Sequence, residues 1–412
     1  MTGVNGRRRV AVTGVGVKSP AGNTVEDLLE RLKEARSTAA TVEELAGNGV
    51  AVTFACTVPE FDLDRYVILR QRRQMDRGTT LALAAAVDAV ESARLGDLAA
   101  PERVGVAVGT GTAGLGATEE VLRHCEHDPA RIPAFTVPQI MANSAAARIG
   151  MRLGARGTAL TYATACASGA TAIGEAMLKI RSGECDVMIA GGADAPVTPM
   201  VMAAFARIGA LSGRNDDPRA ASRPFDADRD GFVMGEGAAF MVLEDWEHAE
   251  RRGAAILGEM LGYGSTSDAH HIVAPREDGA VAAACMARAV KDAGLSFADI
   301  GHVNAHGTST HLNDRAEARA LASCFADGCP PVTAPKGVVG HLIGAAGALE
   351  AVISLGVAAE GLVPPVANFG TSECADGIDL VTGTPRKITS PVALSNSFAF
   401  GGHNVSLVLR AA

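Results

Sequence analysis

Cys166, His306 and His341 are the residues whose types and surroundings could do covalent chemistry. Cys166 sits in Thr161-Tyr-Ala-Thr-Ala-Cys-Ala-Ser-Gly-Ala170, where an apolar run gives way to a Gly/Ala-rich helical stretch. A thiol at such a strand-to-helix turn faces the positive end of a helix dipole, which favours thiolate over thiol. His306 lies in Val303-Asn-Ala-His-Gly-Thr-Ser-Thr310 and His341 in Lys336-Gly-Val-Val-Gly-His-Leu-Ile-Gly-Ala345. One thiol and two imidazoles, each in a Gly-rich turn after an apolar run, point to acyl transfer through a cysteine thioester. Taken singly, each has a plainer reading. Free cysteine is among the most buried residue types, and a lone histidine on an apolar element is usually structural. The small residues around Cys166 leave room for a bulky acyl group, and each histidine follows a strand-like run.

Placing three such residues together requires a large framework. Short β-branched runs alternate with Ala-rich helical segments, the pattern of mixed or parallel sheets covered by helices. Strands are predicted over 9–17, 104–108, 159–163, 186–190, 238–243, 302–305, 392–395 and 404–409. Helices are predicted over 25–35, 79–93, 167–181, 279–293, 314–325 and 345–359. A compositional seam near 247–253 divides the chain into two sides that read as related halves, without a repeat of fixed period.

The chain has 412 residues, 48% of them apolar and 20% charged, with 47 glycines, as expected for a compact α/β protein. Its formal net charge of −9 argues against nucleic-acid binding. Eight scattered cysteines without a CxxC pair read as reduced thiols of a cytoplasmic protein. Arg7-Arg-Arg9 before an apolar stretch mimics a secretion signal, but 10–17 is short, contains Gly14 and Gly16, and reads as the first strand. No run approaches the roughly 18 apolar residues of a membrane span, so no membrane role is expected.

Other motifs carry less. Val104-Gly-Val-Ala-Val-Gly-Thr-Gly-Thr-Ala-Gly114 contains a formal GxGxxG, but no acidic residue ends a second strand about 20 positions on. It reads as a tight loop where backbone passes close to something else. His270-His271 point to different faces and lack a third ligand, and His311 lies five residues after His306, so no catalytic metal is expected. Arg70, Arg72, Arg73 and Arg77 form a basic cluster in an acidic protein. It is either a solvated helix face or a docking patch for an acidic carrier.

With these residues in hand, the chain resembles the elongating β-ketoacyl-acyl carrier protein synthases, including the ketosynthase subunits of type II polyketide systems. The resemblance runs over essentially the whole chain. It is carried by Thr164-Ala-Cys-Ala-Ser-Gly169, Ser222-Arg-Pro-Phe-Asp-Ala-Asp-Arg-Asp-Gly-Phe232, Asn304-Ala-His-Gly-Thr-Ser-Thr310, Gly340-His-Leu-Ile-Gly-Ala-Ala-Gly347 and Asn396-Ser-Phe-Ala-Phe-Gly-Gly402. It implies a thiolase-like five-layer αβαβα fold with two pseudo-symmetric halves, 1–252 carrying the cysteine and 253–412 carrying both histidines.

The implied reaction is decarboxylative condensation of malonyl-carrier protein with an acyl chain held on Cys166. His306 and His341 would stabilise the enolate, and the backbone N–H groups of Cys166 and Phe400 would form an oxyanion hole. Lys336 and Glu317 match a supporting charged pair, Thr308 and Thr310 the pantetheine-binding hydroxyls, and Phe400 a gate. Thr112 and Phe205 match the acyl-pocket lining, and Arg70, Arg72 and Arg73 the carrier-docking patch. Asn304, Glu350, Ser395 and Asn396 resemble a buried cation site of some relatives. No free cofactor is implied, since phosphopantetheine arrives on the carrier. The implied partners are an acyl carrier protein and a second subunit, in a homodimer or a heterodimer with a chain-length factor.

Several positions depart from the fatty-acid pattern. Thr112 replaces a branched aliphatic, His311 a proline, Gly337 a serine and His403 a threonine. These leave the pathway open between fatty-acid elongation and a type II polyketide system, one of polyene type included. A non-catalytic chain-length factor is disfavoured because Cys166 is present. A degradative thiolase would need a second catalytic cysteine, and an initiating synthase an asparagine in place of His341.

Overall fold

The computed structural model of the chain describes residues 7–96, 98–125 and 128–412. Eleven strands share one sheet: β1 (Val10–Lys18), β2 (Val104–Gly109), β3 (Ala159–Tyr162), β4 (Val187–Asp194), β5 (Gly237–Asp245), β6 (Gly258–Ser267), β7 (His302–Asn304), β8 (Pro331–Thr333), β9 (Asp379–Leu380), β10 (Val392–Ala399) and β11 (His403–Ala411). Their order is β9-β8-β7-β10-β11-β6-β1-β5-β4-β2-β3. β1 and β6 meet antiparallel in the middle, over Val10–Val12 alone. Outward from β1 come β5, β4, β2 and β3; outward from β6 come β11, β10, β7 and β8, with β9 added at the rim. In both halves the first strand pairs antiparallel with the last, the last antiparallel with the next-to-last, and the two outer ladders are parallel. The halves therefore repeat one topology.

Six helices matter for the layers: α1 (Arg77–Ser92), α2 (Ser168–Arg181), α3 (Pro199–Arg207), α4 (Ala280–Asp292), α5 (His311–Cys324) and α6 (Ala346–Glu360). Ile173 and Met177 of α2 and Leu349 and Ile353 of α6 share one core with Val12, Met188, Met241, Met260 and Leu407 from five strands of both halves. α1 covers the outside of the first half, with Leu81, Ala85 and Ala89 in the cluster of Val106 and Phe240. α4 covers the second, with Met286, Ala289 and Val290 in the cluster of Val303, Leu394 and Val408. The layers thus run α-β-α-β-α. A strand covered on both faces must be apolar on both, and every residue of β5 is buried: Ala239, Met241 and Leu243 face the centre, Ala238, Phe240 and Val242 the outside.

Two expectations need correction. The sequence reading found no stretch long enough to span a membrane, yet Ile343–Glu360 is 18 residues long with a mean hydropathy of 1.5. Its composition reflects its place in the central layer, where 83% of it is buried inside the protein. The reading also missed β6, because Gly-Glu-Met-Leu-Gly-Tyr-Gly-Ser-Thr-Ser has almost no β-branched residues. Its glycines are there for packing. A methyl on Gly262 or Gly264 would collide with the Ala289 or Cys285 carbonyl of α4, just as one on Gly14 or Gly16 of β1 would strike the Ala89 or Ala85 carbonyl of α1.

Candidate active site

The turn that carries Cys166 is built by strain and small residues. Ala165 takes φ 48°, a left-handed conformation unusual for a residue with a Cβ, and Ala165–Ala167 make a single 3₁₀ turn before α2. Ser168 Oγ accepts from Thr164 N at 2.9 Å and lies 2.6 Å from Ala165 O, fastening the turn from within. No side chain caps α2. The helix dipole was expected to favour thiolate, but burial dominates: the Cys166 thiol is pushed up to about 12. The Lys336 charge and the backbone N–H groups of Phe400 and Cys166 pull the other way. The resting residue is a thiol, with two N–H donors directed at its sulfur.

His306 follows β7, and its ring state is fixed by Lys336. Nζ lies 3.1 Å from His306 Nδ1 and 2.5 Å from His306 O, and its third bond goes to the carboxylate of Glu350. An ammonium has no lone pair, so Nδ1 must accept and the ring proton sits on Nε2. Burial, Lys336 and His341 together hold His306 well below the ordinary histidine range, so the ring is neutral. Glu317 of α5 accepts the backbone N–H groups of His306 and Gly307, each at 2.8 Å, and burial pushes it up to about 7. Lys336 and Glu317 were expected to form one charged pair. Lys336 instead pairs with Glu350, and Glu317 acts on the backbone of the His306 turn.

His341 does not directly follow a strand as expected; it follows a short helical turn, Lys336–Val339. Its backbone is stitched to the 233–235 segment, donating to Val233 O at 2.7 Å and accepting from Gly235 N at 2.8 Å. Its ring meets His306 edge-on at 5.4 Å and Phe232 at 5.1 Å. Burial and the Lys336 charge hold it well below its ordinary range as well.

Cys166, His306, His341, Phe205, Phe400, Thr308 and Thr310 line one cavity of about 260 Å³. Phe205 of α3 stacks on Phe400 at 6.3 Å and meets Phe232 edge-on at 5.7 Å, giving the cavity an aromatic wall. The hydroxyls of Thr308 and Thr310 lie 2.8 Å apart. Thr112, expected in the acyl pocket, does not line this cavity: its N–H and hydroxyl both bond to Asp194, and it borders a smaller recess with Gln139 and Met141. The GxGxxG loop is the close passage expected, with Gly109 packed on the Ser168 carbonyl.

The basic cluster is partly neutralised. Arg72 pairs with Asp64 and Arg77 with the buried Glu236, which leaves Arg70 and Arg73 exposed and without an ion pair among the described residues. Among the described residues no group of three or more His, Cys, Asp or Glu could hold a metal. Both polar atoms of Asn304 and Glu350 Oε2 are nevertheless buried without a partner, whereas Asn396 Oδ1 already accepts from Ser406 Oγ at 2.8 Å. The sequence reading missed Asp194, the link from Glu350 to Lys336, and the aromatic contacts of Phe232 and Phe398. Both phenylalanines lie inside the motifs Ser222–Phe232 and Asn396–Gly402.

Residues 7–249 match the family described as Beta-ketoacyl synthase, N-terminal domain, and 257–370 its C-terminal domain. The chain is 41% identical over 409 residues to a 3-oxoacyl-acyl-carrier-protein synthase 2 of Synechocystis sp., covering 98% of each. It is 40% identical to the enzyme of the same name from Vibrio cholerae, covering 98% of this chain and 99% of that one. Among solved structures it is similar to the ishigamide ketosynthase/chain length factor, at 35% identity and TM-score 0.90, covering 98% of this chain and all of that one. A type II polyketide ketosynthase in complex with its acyl-carrier protein and bound to the hexaketide matches at 31% and 0.90, with the same coverage.

Proposed function

Because the chain belongs to the β-ketoacyl synthase family, we propose that it condenses malonyl-carrier protein with an acyl chain carried on Cys166. The observation that carries this reading is the single cavity shared by a buried thiol, two neutral imidazoles and two threonine hydroxyls. In the first step the Cys166 sulfur attacks the acyl thioester carbon. The pantetheine thiol leaves with the proton, and the oxyanion forms against the N–H groups of Cys166 and Phe400. Malonyl thioester then enters. Its carboxylate leaves as carbon dioxide, and the electron pair becomes an enolate whose oxygen takes hydrogen bonds from His306 Nε2–H and His341. The enolate carbon attacks the acyl-cysteine and the Cys166 sulfur departs, leaving a chain two carbons longer on the carrier.

In this reading Lys336 and Glu317 position His306, Thr308 and Thr310 bind the pantetheine arm, and Phe400 and Phe205 form the wall between the two substrates. Residues 1–252 and 253–412 are the two functional halves. Arg70 and Arg73 receive the acidic carrier, with Arg72 beside them. The chemistry itself needs no metal and no free cofactor. Unpaired cysteines throughout the chain support a reducing, cytoplasmic setting.

A second reading makes the chain the catalytic partner of a chain-length factor. The likeness to a ketosynthase/chain length factor favours it; the exposed outer strand β3, with Leu160 at its surface, offers an edge to a chain-length factor or to a second copy alike. One experiment tests both. The purified protein is given a medium-chain acyl-carrier protein and malonyl-carrier protein, and intact masses of enzyme and carrier are followed. A β-ketoacyl product from the chain alone supports a self-sufficient synthase. An acyl adduct on Cys166 without elongation supports the partnered enzyme, and absence of both overturns the condensing role.

A further inference from the structure

Asp194 ends β4 with its carboxylate inside the protein, where five donors converge on it. Oδ1 accepts Thr110 Oγ1 at 2.7 Å, Thr112 N at 3.0 Å and Thr112 Oγ1 at 2.8 Å. Oδ2 accepts Gly111 N at 2.8 Å and Gly344 N at 2.7 Å. The first four donors belong to the loop after β2, in the same half as Cys166. Gly344 lies in the other half, three residues beyond His341.

The surroundings are tight. A methyl on Gly111 would stand 2.7 Å from Ile343 Cγ2 and 3.4 Å from Ala165 O. Ala165 and Ile343, which flank this point from the cysteine turn and the histidine turn, both hold positive φ, 48° and 50°. Such strain persists only where neighbouring structure over-determines it. The cysteine turn has its own fastening in Ser168. His341 is stitched to 233–235 through its own backbone, and the segment behind it is tied to the first half by the bond from Gly344 to Asp194.

We propose that Asp194 is a positioning residue that holds the His341 turn in register with Cys166 across the two halves, an assignment that rests on the condensation reading above. Asp194→Asn tests it, because the amide keeps the shape but turns one acceptor into a donor. With Oδ1 left to its three donors, Nδ2 faces the N–H groups of Gly111 and Gly344, which lose their acceptor.

Malonyl decarboxylation is read as carbon dioxide release, and self-acylation as mass gain at Cys166, in wild type and variant. Decarboxylation should fall about tenfold in the variant while self-acylation changes less than about twofold. A purely structural role would lower both together through the folded fraction; equal losses, or an unchanged ratio, overturn the proposal. Gly344→Ala attacks the same contact from the other side, placing a methyl 2.3 Å from Gly111 N and 2.6 Å from Asp194 Oδ2, so that the two loops must part. It should show the same split, and it decides the matter if the Asn variant does not fold. A wild-type protein that performs neither reaction overturns the condensation reading itself, an outcome distinct from a failure confined to the variants.

Discussion

Lys336 takes its buried countercharge from Glu350, fourteen residues on in α6, while the same ammonium holds Nδ1 and the carbonyl oxygen of His306. Both partners of the ion pair are almost fully buried, at 1% and 2% exposure. Lys336→Met should therefore cost roughly 3–5 kcal/mol of stability, because it strands a buried carboxylate. It should also lower malonyl decarboxylation by roughly 10²-fold, since His306 is no longer forced to present its Nε2–H. Adding Glu350→Gln should recover much of the stability and none of the rate. Urea unfolding beside carbon dioxide release separates the two effects, and a double variant with restored activity would refute the positioning role.

Cys166→Ala removes the sulfur and leaves the imidazoles untouched. No acyl adduct should form, while malonyl decarboxylation by His306 and His341 should persist. Intact-mass measurement together with carbon dioxide release checks this. An adduct that survives the substitution would end the assignment of Cys166 as nucleophile.

His302 is buried in β7 with neither ring nitrogen partnered among the described residues, and burial pushes it down to about 3. The unfolded chain binds this proton below about pH 6.5, and the folded protein does not until about pH 3. Stability should thus be lost as pH falls from 6.5 towards 3, with about 2 kcal/mol of the loss at pH 5 arising from this group. His306 and His341 are shifted in the same direction and steepen the same decline. His302→Phe should flatten the curve of unfolding midpoint against pH between 7.5 and 5; an unchanged slope would show that His302 is not held neutral.

Arg70 and Arg73 carry charge that nothing else among the described residues uses in an ion pair. Reversing both to glutamate should raise KM for a carrier-bound substrate about tenfold with kcat little changed, and the effect should fade at high salt. Turnover of a free pantetheine thioester should not respond. A loss seen equally with the free thioester would place these arginines in the fold and not at a docking surface.

Legibility from the sequence followed local physics. β5 and α2 were visible because continuous apolar runs and Ala-rich turns signal buried strands and helices within a short window. β6 was not, because its glycines exist to admit α4, a helix that begins well downstream. Cys166, His306 and His341, which line one cavity, were each marked by their own Gly-rich turns. Which carboxylate pairs with Lys336 was not, since Glu317 and Glu350 are equally plausible until the fold sets one at Nζ and the other at the His306 backbone. Thr112 shows the same limit: its motif marks a pocket position, and only Asp194 reveals where its hydroxyl is spent.

The strand order has a consequence for biosynthesis. β1 takes its main antiparallel partner from β5, where Val10 meets Asp245, and β6 pairs with β11, where Gly258 meets Ala411. A ribosome must therefore deliver residue 245 before the first half can close, and residue 411 before the second can. Until then β6 offers a bare edge beside a finished neighbour, and Leu407 and Leu409, which will complete the central core, have not yet been made. Truncation before His403, which removes β11, should leave a closed first half attached to a second half that cannot seal, a species prone to aggregate.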